Sequence, residues 1–381
     1  MNKKPLLNSA EARRLAKEHG TPLYVYRKNI IQKAFRLLHG SIPFPRTKVF
    51  YACKANAHAG ILKVLKQEGA CIEAVSIGEV RAALSAGFPA SRISYTCSNI
   101  SLEELLAVMK TGVRVHLDSL NQIAWWGEAK PNSKISIRVN RGFGAGENPH
   151  IVTGGKESKF GIYYTDLPEA IRIASRYRLK IVGLQQHIGS NIFDPHTYLK
   201  GVRLMLSTAT RFPELEFVDF GGGFGIPYRP EQKPLDVRRL GNETAAIFSE
   251  FCRNRGKTLE LAIEPGRYLV AEAGALLAQV VDIKKTPGHT FVGINTGFNH
   301  LIRPAFYGSY HHVFNLSNPK GRNELVNIVG NICESSDFFV KRRALPKARL
   351  RDLLLFADAG AYGYAMSSDY NLREKPKEIL I

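Results

Sequence analysis

Short apolar and β-branched runs alternate with helical patterns through two-thirds of this chain, and that rhythm limits the folds open to it. The runs are Val49–Ala52, Ile72–Ser76, Ile93–Thr96, Val113–Asp118, Ile135–Asn140, Ile181–Gly189, Glu216–Gly222 and Leu259–Pro265. Between them, segments such as Ala59–Gly69, Gly78–Gly87 and Ser101–Gly112 carry apolar residues at helical spacing. Ser101 with Glu104 three residues on predicts a capping box. Eight strands alternating with helices predict an α/β fold, a (β/α)8 barrel of TIM type. A doubly wound sheet would carry a G-x-G-x-x-G fingerprint after its first strand. Gly142-Phe143-Gly144-Ala145-Gly146-Glu147 puts Glu147 where the third glycine belongs, and Gly221-Gly222-Gly223-Phe224-Gly225-Ile226 puts Ile226 there. Neither fits.

After Arg267 the rhythm changes. Leu276–Ile283, Thr290–Asn295, Leu325–Ile332 and Leu353–Asp358 alternate in the strand manner, which predicts a mostly antiparallel C-terminal β domain. The chain is therefore divided into three parts. Residues 1–28 form an N-terminal segment that packs with the β domain through Leu23-Tyr24-Val25-Tyr26, residues 29–270 the barrel, and residues 271–381 the β domain. A length of 381 residues suits two domains.

Composition narrows the class of function. Hydrophobic content of 44% with 23% charged residues is that of a globular protein. No stretch approaches the roughly 20 apolar residues of a membrane helix. The basic start, Met1-Asn2-Lys3-Lys4-Pro5, is followed by no apolar core, so no secretory signal is expected. Cys53, Cys71, Cys97, Cys252 and Cys333 form no CxxC pair and no zinc spacing, which fits reduced thiols in a cytoplasm. His311 and His312 are adjacent and on a strand would face opposite ways, so no metal is expected. The net charge of +20 would suit an acidic partner. Yet the basic residues are spread along the chain with one local cluster, Lys341-Arg342-Arg343 through Arg351, and no nucleic-acid-binding motif accompanies them. A basic solvated surface is the expectation, and nucleic acid is not.

In a barrel, chemistry gathers where strands end at the C-terminal face. Here those ends are polar. The first run stops at Lys54, and the third leads into Cys97-Ser98-Asn99. The fourth ends at Asp118, and the fifth carries Arg138 and Asn140. The sixth ends in Gln186-His187-Ile188-Gly189-Ser190-Asn191, the seventh opens onto Gly221 to Gly225, and the eighth closes with Glu264-Pro265-Gly266-Arg267. Each has a structural alternative: a solvated lysine, a core histidine, a capping acid, a tight glycine turn. Together they form a parts list. A desolvated lysine amine can attack a carbonyl, and bare glycine N–H groups can hold a phosphate. A carboxylate can keep a pyridine nitrogen protonated while an imidazole lies on the ring. The sum points to pyridoxal 5'-phosphate (PLP).

The strings Tyr51-Ala52-Cys53-Lys54-Ala55-Asn56, His187-Ile188-Gly189-Ser190, Gly221-Gly222-Gly223-Phe224-Gly225, Glu264-Pro265-Gly266-Arg267, Cys333-Glu334-Ser335-Ser336-Asp337 and Asp358-Ala359-Gly360-Ala361-Tyr362-Gly363 resemble the PLP-dependent decarboxylases with an alanine-racemase-type barrel. Three further strings resemble the branch of that family that converts meso-2,6-diaminopimelate to L-lysine and carbon dioxide. They are Thr153-Gly154-Gly155-Lys156-Glu157-Ser158-Lys159-Phe160-Gly161, Leu301-Ile302-Arg303-Pro304-Ala305-Phe306-Tyr307-Gly308 and Met366-Ser367-Ser368-Asp369-Tyr370-Asn371. The resemblance spans essentially the whole chain.

The resemblance implies roles. Lys54 would hold PLP covalently, His187 would stack on its ring, Glu264 would pair with the pyridine nitrogen, and Arg138 would lie near the ring hydroxyl. Gly221, Gly222, Gly223, Phe224 and Gly225, with Ser190, Gly266, Arg267 and Tyr362, would bind the rest of the cofactor. Arg267, Arg303, Tyr307, Glu334 and Tyr362 would grip the substrate, the arginines taking a carboxylate and Glu334 a distal ammonium. Cys333 would return a proton to the α carbon, on a loop that Glu334 and Asp337 mark as exposed and functional. In the family that loop comes from the neighbouring subunit, which implies a homodimer with shared active sites. Departures are Glu73 and Asn295, each where relatives carry aspartate, Arg141 for proline and Asp369 for asparagine. Two other functions stay open: a sister decarboxylase acting on ornithine, arginine, carboxynorspermidine or a carrier-linked amino acid, and a PLP-binding or nucleic-acid-associated protein without decarboxylase activity.

Overall fold

The eight predicted runs become eight parallel strands. In chain order, β1 (Leu23–Tyr26) precedes them. Then come β2 (Thr47–Ala52), β3 (Cys71–Ala74), β4 (Ile93–Thr96), β5 (Arg114–Leu117) and β6 (Lys134–Asn140), followed by a short β7 (Ile162–Tyr163). β8 (Lys180–Gln185), β9 (Phe217–Asp219) and β10 (Glu260–Ile263) complete the set. β2 to β6 pair in order, β6 passes to β8, then β9 and β10, and β10 closes on β2. β7 pairs in parallel with Val139 and Asn140 at the end of β6. The computed structural model describes residues 3–146 and 153–381; Met1, Asn2 and Glu147, which entered the reading above, lie outside the described residues.

The barrel strands are short and buried along almost their whole length, as parallel strands covered on both faces must be. Their connections end on helix-capping residues. Ser76, Ser101 and Ser119 each accept a backbone N–H from the residue three further on, and Asp194 accepts two. Of the capping box expected at Ser101, only that half forms. Glu104 turns instead to the hydroxyl of Tyr95, which donates to it at 2.9 Å. Tyr95 is buried on β4 and needs that acceptor more than the helix end does.

Five runs end as strands earlier than their hydrophobicity suggests, Ile72–Ser76 at Ala74, Val113–Asp118 at Leu117 and the last three at Gln185, Asp219 and Ile263. The residues beyond them are therefore loop residues above the barrel strands. That is where His187, Ser190, Gly221 to Gly225 and Glu264 lie.

The second unit gathers the segment up to Ile31, Ile226–Lys233 and Leu269–Ile381; the first is Gln32–Gly225 with Pro234–Tyr268. The second unit's sheet contains β11 (Gly274–Thr286), β12 (His289–Ile294), β13 (Val313–Asn315), β14 (Asn323–Val329), β15 (Phe338–Pro346), β16 (Leu353–Phe356) and β17 (Lys377–Leu380). β1 joins it, antiparallel to β11 with Leu23 opposite Leu277, and parallel to β17. The sheet is mixed, since β12 and β14 also run parallel. Leu23, Val25, Leu277, Leu353 and Leu355 share one buried cluster with Leu7 and Leu15 of the helix region before β1. Each fully buried leucine contributes roughly 2–3 kcal/mol, so the N-terminal segment is part of this core rather than an appendage. Among the described residues, no helix is long and apolar enough to cross a membrane.

Candidate active site

Lys54 sits in the 3-10 turn Cys53–Ala55 that follows β2. Its Nζ donates to Glu73 Oε2 at 2.7 Å, and Glu73 at the end of β3 is almost fully buried. The longer acid at this position therefore reaches the lysine and holds its amine in place. Arg138 on β6 is buried between the Asp118 carboxylate, 3.5 Å away, and the Phe160 ring, 4.8 Å from its Cζ. Asn140 on the same strand accepts N–H bonds from Gly142 and Gly155 and donates to the carbonyls of Gly155 and Phe160. Thr153 Oγ1 donates to the His187 carbonyl. The Thr153 to Phe160 string is thus stapled to two strand ends.

His187 receives the backbone N–H of Gly222 on Nδ1 at 3.1 Å. An imidazole nitrogen that accepts carries no proton, so the ring hydrogen lies on Nε2. Burial and the Lys54 and Arg138 cations push its pKa well below the usual histidine range, so the ring is neutral. Close approach explains the glycines. A side chain at Gly222 would put Cβ 2.1 Å from the Glu264 carbonyl oxygen, and at Gly221 2.2 Å from that of Gln186. Gly221 also has a φ of 71°. The N–H groups of Gly221, Gly222 and Gly225 are spent on Asp219, His187 and Ile192. Among the described residues no acceptor meets those of Gly223 and Phe224, which narrows the anion-binding part of this loop to two of its five residues. Ser190 lies alongside: Arg267, buried at the start of the short helix Arg267–Val270, donates to Ser190 Oγ from Nη2 at 3.0 Å and from Nε at 3.3 Å.

Glu264 follows β10 and is buried. Its Oε2 accepts from Gln185 Nε2 at 2.9 Å, while Oε1 meets no partner among the described residues. Burial, Asp219 and Glu73 push its pKa well above the usual carboxylate range. A buried acid with one idle oxygen gains most from a partner that brings a positive hydrogen. A pyridinium nitrogen is such a partner. The set fits PLP: an amine for its aldehyde at Lys54, N–H donors for its phosphate at Gly223 and Phe224, and an idle carboxylate oxygen for its ring nitrogen.

Gln185 and Asp219 were missed by sequence reasoning. They are buried polar residues that end β8 and β9 inside longer apolar runs, so no strand boundary marks them in the sequence. His116, Asp219 and Glu264 bring nitrogen and oxygen atoms within 4.8 Å of one another in the barrel interior.

The second unit holds the other predicted residues. Arg303 and Tyr307 are the first and last residues of a five-residue helix, and a spacing of four puts them on one face. Arg303 is buried over the Tyr228 ring, 4.4 Å from its Cζ, and its Nη1 donates to His311 Nε2 at 2.9 Å. Tyr228 belongs to Ile226–Lys233, a segment the sequence reading leaves inside the barrel. Cys333 and Glu334 are exposed; the Cys333 N–H donates to Asn371 Oδ1 and the Tyr370 hydroxyl to Glu334 Oε1. Asp337 departs from expectation. It is buried, and its carboxylate accepts the N–H groups of Phe298 and Ile332, so it ties the loop down instead of facing outward. Tyr362 is half-buried with a φ of 55°.

Comparison with known proteins agrees with this chemistry. Residues 28–271 match the family described as "Pyridoxal-dependent decarboxylase, pyridoxal binding domain". Diaminopimelate decarboxylase of Methanothermobacter thermautotrophicus is 41% identical over 386 aligned positions, covering 99% of this chain and 90% of that protein. A crystal structure of a diaminopimelate decarboxylase superposes with a TM-score of 0.92 at 33% identity, over 100% of this chain and 93% of that one. The Helicobacter pylori enzyme complexed with L-lysine gives a TM-score of 0.87 at 30% identity, over 97% and 93%. A barrel built around a lysine, a neutral histidine and a buried glutamate, with relatives of this kind along its full length, belongs to the PLP-dependent decarboxylases, on the diaminopimelate decarboxylase branch.

Proposed function

We propose that this chain decarboxylates meso-2,6-diaminopimelate to L-lysine, with its barrel residues holding PLP and its second-unit residues selecting the substrate. The observation that carries the reading is Glu264, a buried, proton-binding acid with an idle oxygen at a barrel mouth that also presents Lys54. When bound, PLP supplies an electron sink for the bonding pair released as carbon dioxide leaves.

The chain's own groups do the rest. Lys54 supplies the amine that holds the cofactor, and Glu73 keeps that amine at the strand end. His187, locked neutral by the Gly222 N–H, offers a flat ring face without adding charge. Glu264 holds the proton of the ring nitrogen. Gly223, Phe224 and Ser190 take the phosphate, with Tyr362 as a further donor. Arg138, fixed by Asp118 and Phe160, faces the ring hydroxyl. Arg303 clamps the distal carboxylate of the substrate, aided by Tyr307 and Arg267, and Glu334 takes the distal ammonium. Cys333 Sγ delivers the proton to the α carbon.

We place Cys333 and Glu334 in the site of a neighbouring copy, so that the working unit is a homodimer with shared active sites. The exposure of Cys333, Glu334, Phe306 and Leu372 in one unit supports that arrangement. Five cysteines without a disulfide support a cytoplasmic setting.

The test is product analysis after incubating the chain with PLP and, in turn, meso-diaminopimelate, ornithine, arginine and carboxynorspermidine. L-lysine and carbon dioxide from diaminopimelate alone is the expected result. Carbon dioxide from another of these amino acids, with none from diaminopimelate, overturns the substrate assignment.

A further inference from the structure

Arg303 is the residue on which substrate choice rests in the reading above, and what holds Arg303 lies outside every motif singled out in the sequence. Its Nη1 donates to His311 Nε2 at 2.9 Å. The other ring nitrogen, Nδ1, lies 2.7 Å from the Ala357 carbonyl oxygen. A carbonyl only accepts, so Nδ1 carries the hydrogen. Nε2 is then a lone pair, and it meets the guanidinium N–H. One tautomer satisfies both bonds, and an imidazolium would satisfy only the one to Ala357.

The surroundings enforce that tautomer. His311 and Arg303 are both buried. The Tyr228 ring lies under the guanidinium and edge-on to the imidazole, 5.7 Å between centroids at 73°. Arg343 Nη1 donates to the His311 backbone carbonyl at 2.7 Å, fixing the main chain at the same residue. Burial and the Arg303, Lys3 and Arg343 cations keep the ring neutral. Ala357, which receives Nδ1–H, immediately precedes the Asp358 to Gly363 string carrying Tyr362.

We infer that His311 is a positioning residue: as the Nδ1–H tautomer it orients the Arg303 guanidinium and so sets how strongly the enzyme prefers a ligand with a distal carboxylate. An arginine gains its specificity from a fixed fork of donors. A buried arginine seated on an aromatic face can still rotate about its last bonds. A lone pair at a fixed point removes that freedom before substrate arrives, which is where preorganisation raises affinity. The inference rests on Arg303 being the carboxylate clamp, and the experiment separates the two.

The probes are L-lysine, which keeps the distal carboxylate, and cadaverine, the same carbon skeleton without it, each titrated calorimetrically into PLP-loaded enzyme. His311→Asn keeps a donor for Ala357 and removes the acceptor for Arg303. It should weaken L-lysine about tenfold and leave cadaverine within about twofold. In turnover the loss should fall on KM for diaminopimelate rather than on kcat. His311→Gln places an oxygen near the Nε2 position and should recover most of the L-lysine affinity. A variant that weakens both ligands alike, or neither, overturns the positioning role, and a melting curve on each variant guards against misfolding. Arg303→Lys is the control. If it discriminates between the ligands and His311→Asn does not, the inference about His311 alone fails. If Arg303→Lys weakens both equally, the clamp reading itself fails.

Discussion

The two units carry their polar groups in opposite ways. In the barrel unit the acids are buried and the acids and bases are interlocked: Glu73 holds Lys54, Gln185 holds Glu264, and Gly222 fixes His187. In the second unit Cys333, Glu334 and Tyr370 sit on the surface, while Arg303, His311 and Asp337 are buried. The contrast teaches a division of labour. Groups that tune a cofactor need low dielectric and fixed distances. Groups that exchange with a moving substrate or a second subunit need access.

Substitutions can break or sharpen this comparison. Lys54→Ala should abolish turnover, a loss on the order of 10⁴-fold or more, and the borohydride-fixed bond between chain and cofactor. A retained covalent adduct would dissolve the barrel half of the argument. Cys333→Ala should lower kcat by roughly 10²–10⁴-fold with cofactor still bound, and near-normal turnover removes the thiol from the mechanism. Mixing the Lys54→Ala and Cys333→Ala proteins should restore part of the activity, since one site in a mixed dimer keeps both residues; no recovery would refute the shared site.

The two arginines offer a finer cut. Arg303→Ala should raise KM for diaminopimelate about 10–100-fold without changing cofactor affinity. Arg267→Ala releases Ser190 and should weaken PLP binding, read by equilibrium dialysis, about tenfold. If the two variants behave alike, the division between units is wrong.

The smallest effect concerns stability. Glu79 accepts the Val75 N–H at 2.8 Å, and burial raises its pKa from 4.5 to about 7. The folded chain thus holds a proton that the unfolded chain has lost between those values. Stability from this group is full below about 4.5 and declines as pH rises to about 7. Glu79→Gln should raise stability at pH about 8 by about 1–3 kcal/mol and change nothing at pH about 4, as denaturant titration would show. A uniform shift at both pH values would mean the buried acid is not the cause.

Much of this was legible beforehand. All eight barrel strands lay on apolar runs, because a strand buried on both faces has little freedom of composition. The polar residues beyond those runs were visible too, since each interrupts an apolar stretch. The second unit read less well. β15 is Phe338-Phe339-Val340-Lys341-Arg342-Arg343-Ala344-Leu345-Pro346, half exposed, and it looked like a basic cluster. β13 and β17 are too short to show a period. Tyr228 meets Arg303 from far away in sequence, and no local pattern announces such a pairing. Asp337 reads as exposed because a carboxylate in a polar loop looks the same in sequence whether it accepts water or backbone N–H groups.

β1 pairs with β11 and β17, strands that lie beyond the barrel in sequence. During synthesis β1 leaves the ribosome before any of its partners exists, and the whole barrel is translated while its edges wait. Pairings this distant are slow to close and expose hydrogen-bonding edges meanwhile. A nascent chain stalled before β11 would carry all eight barrel strands while β1 still lacked both of its neighbours.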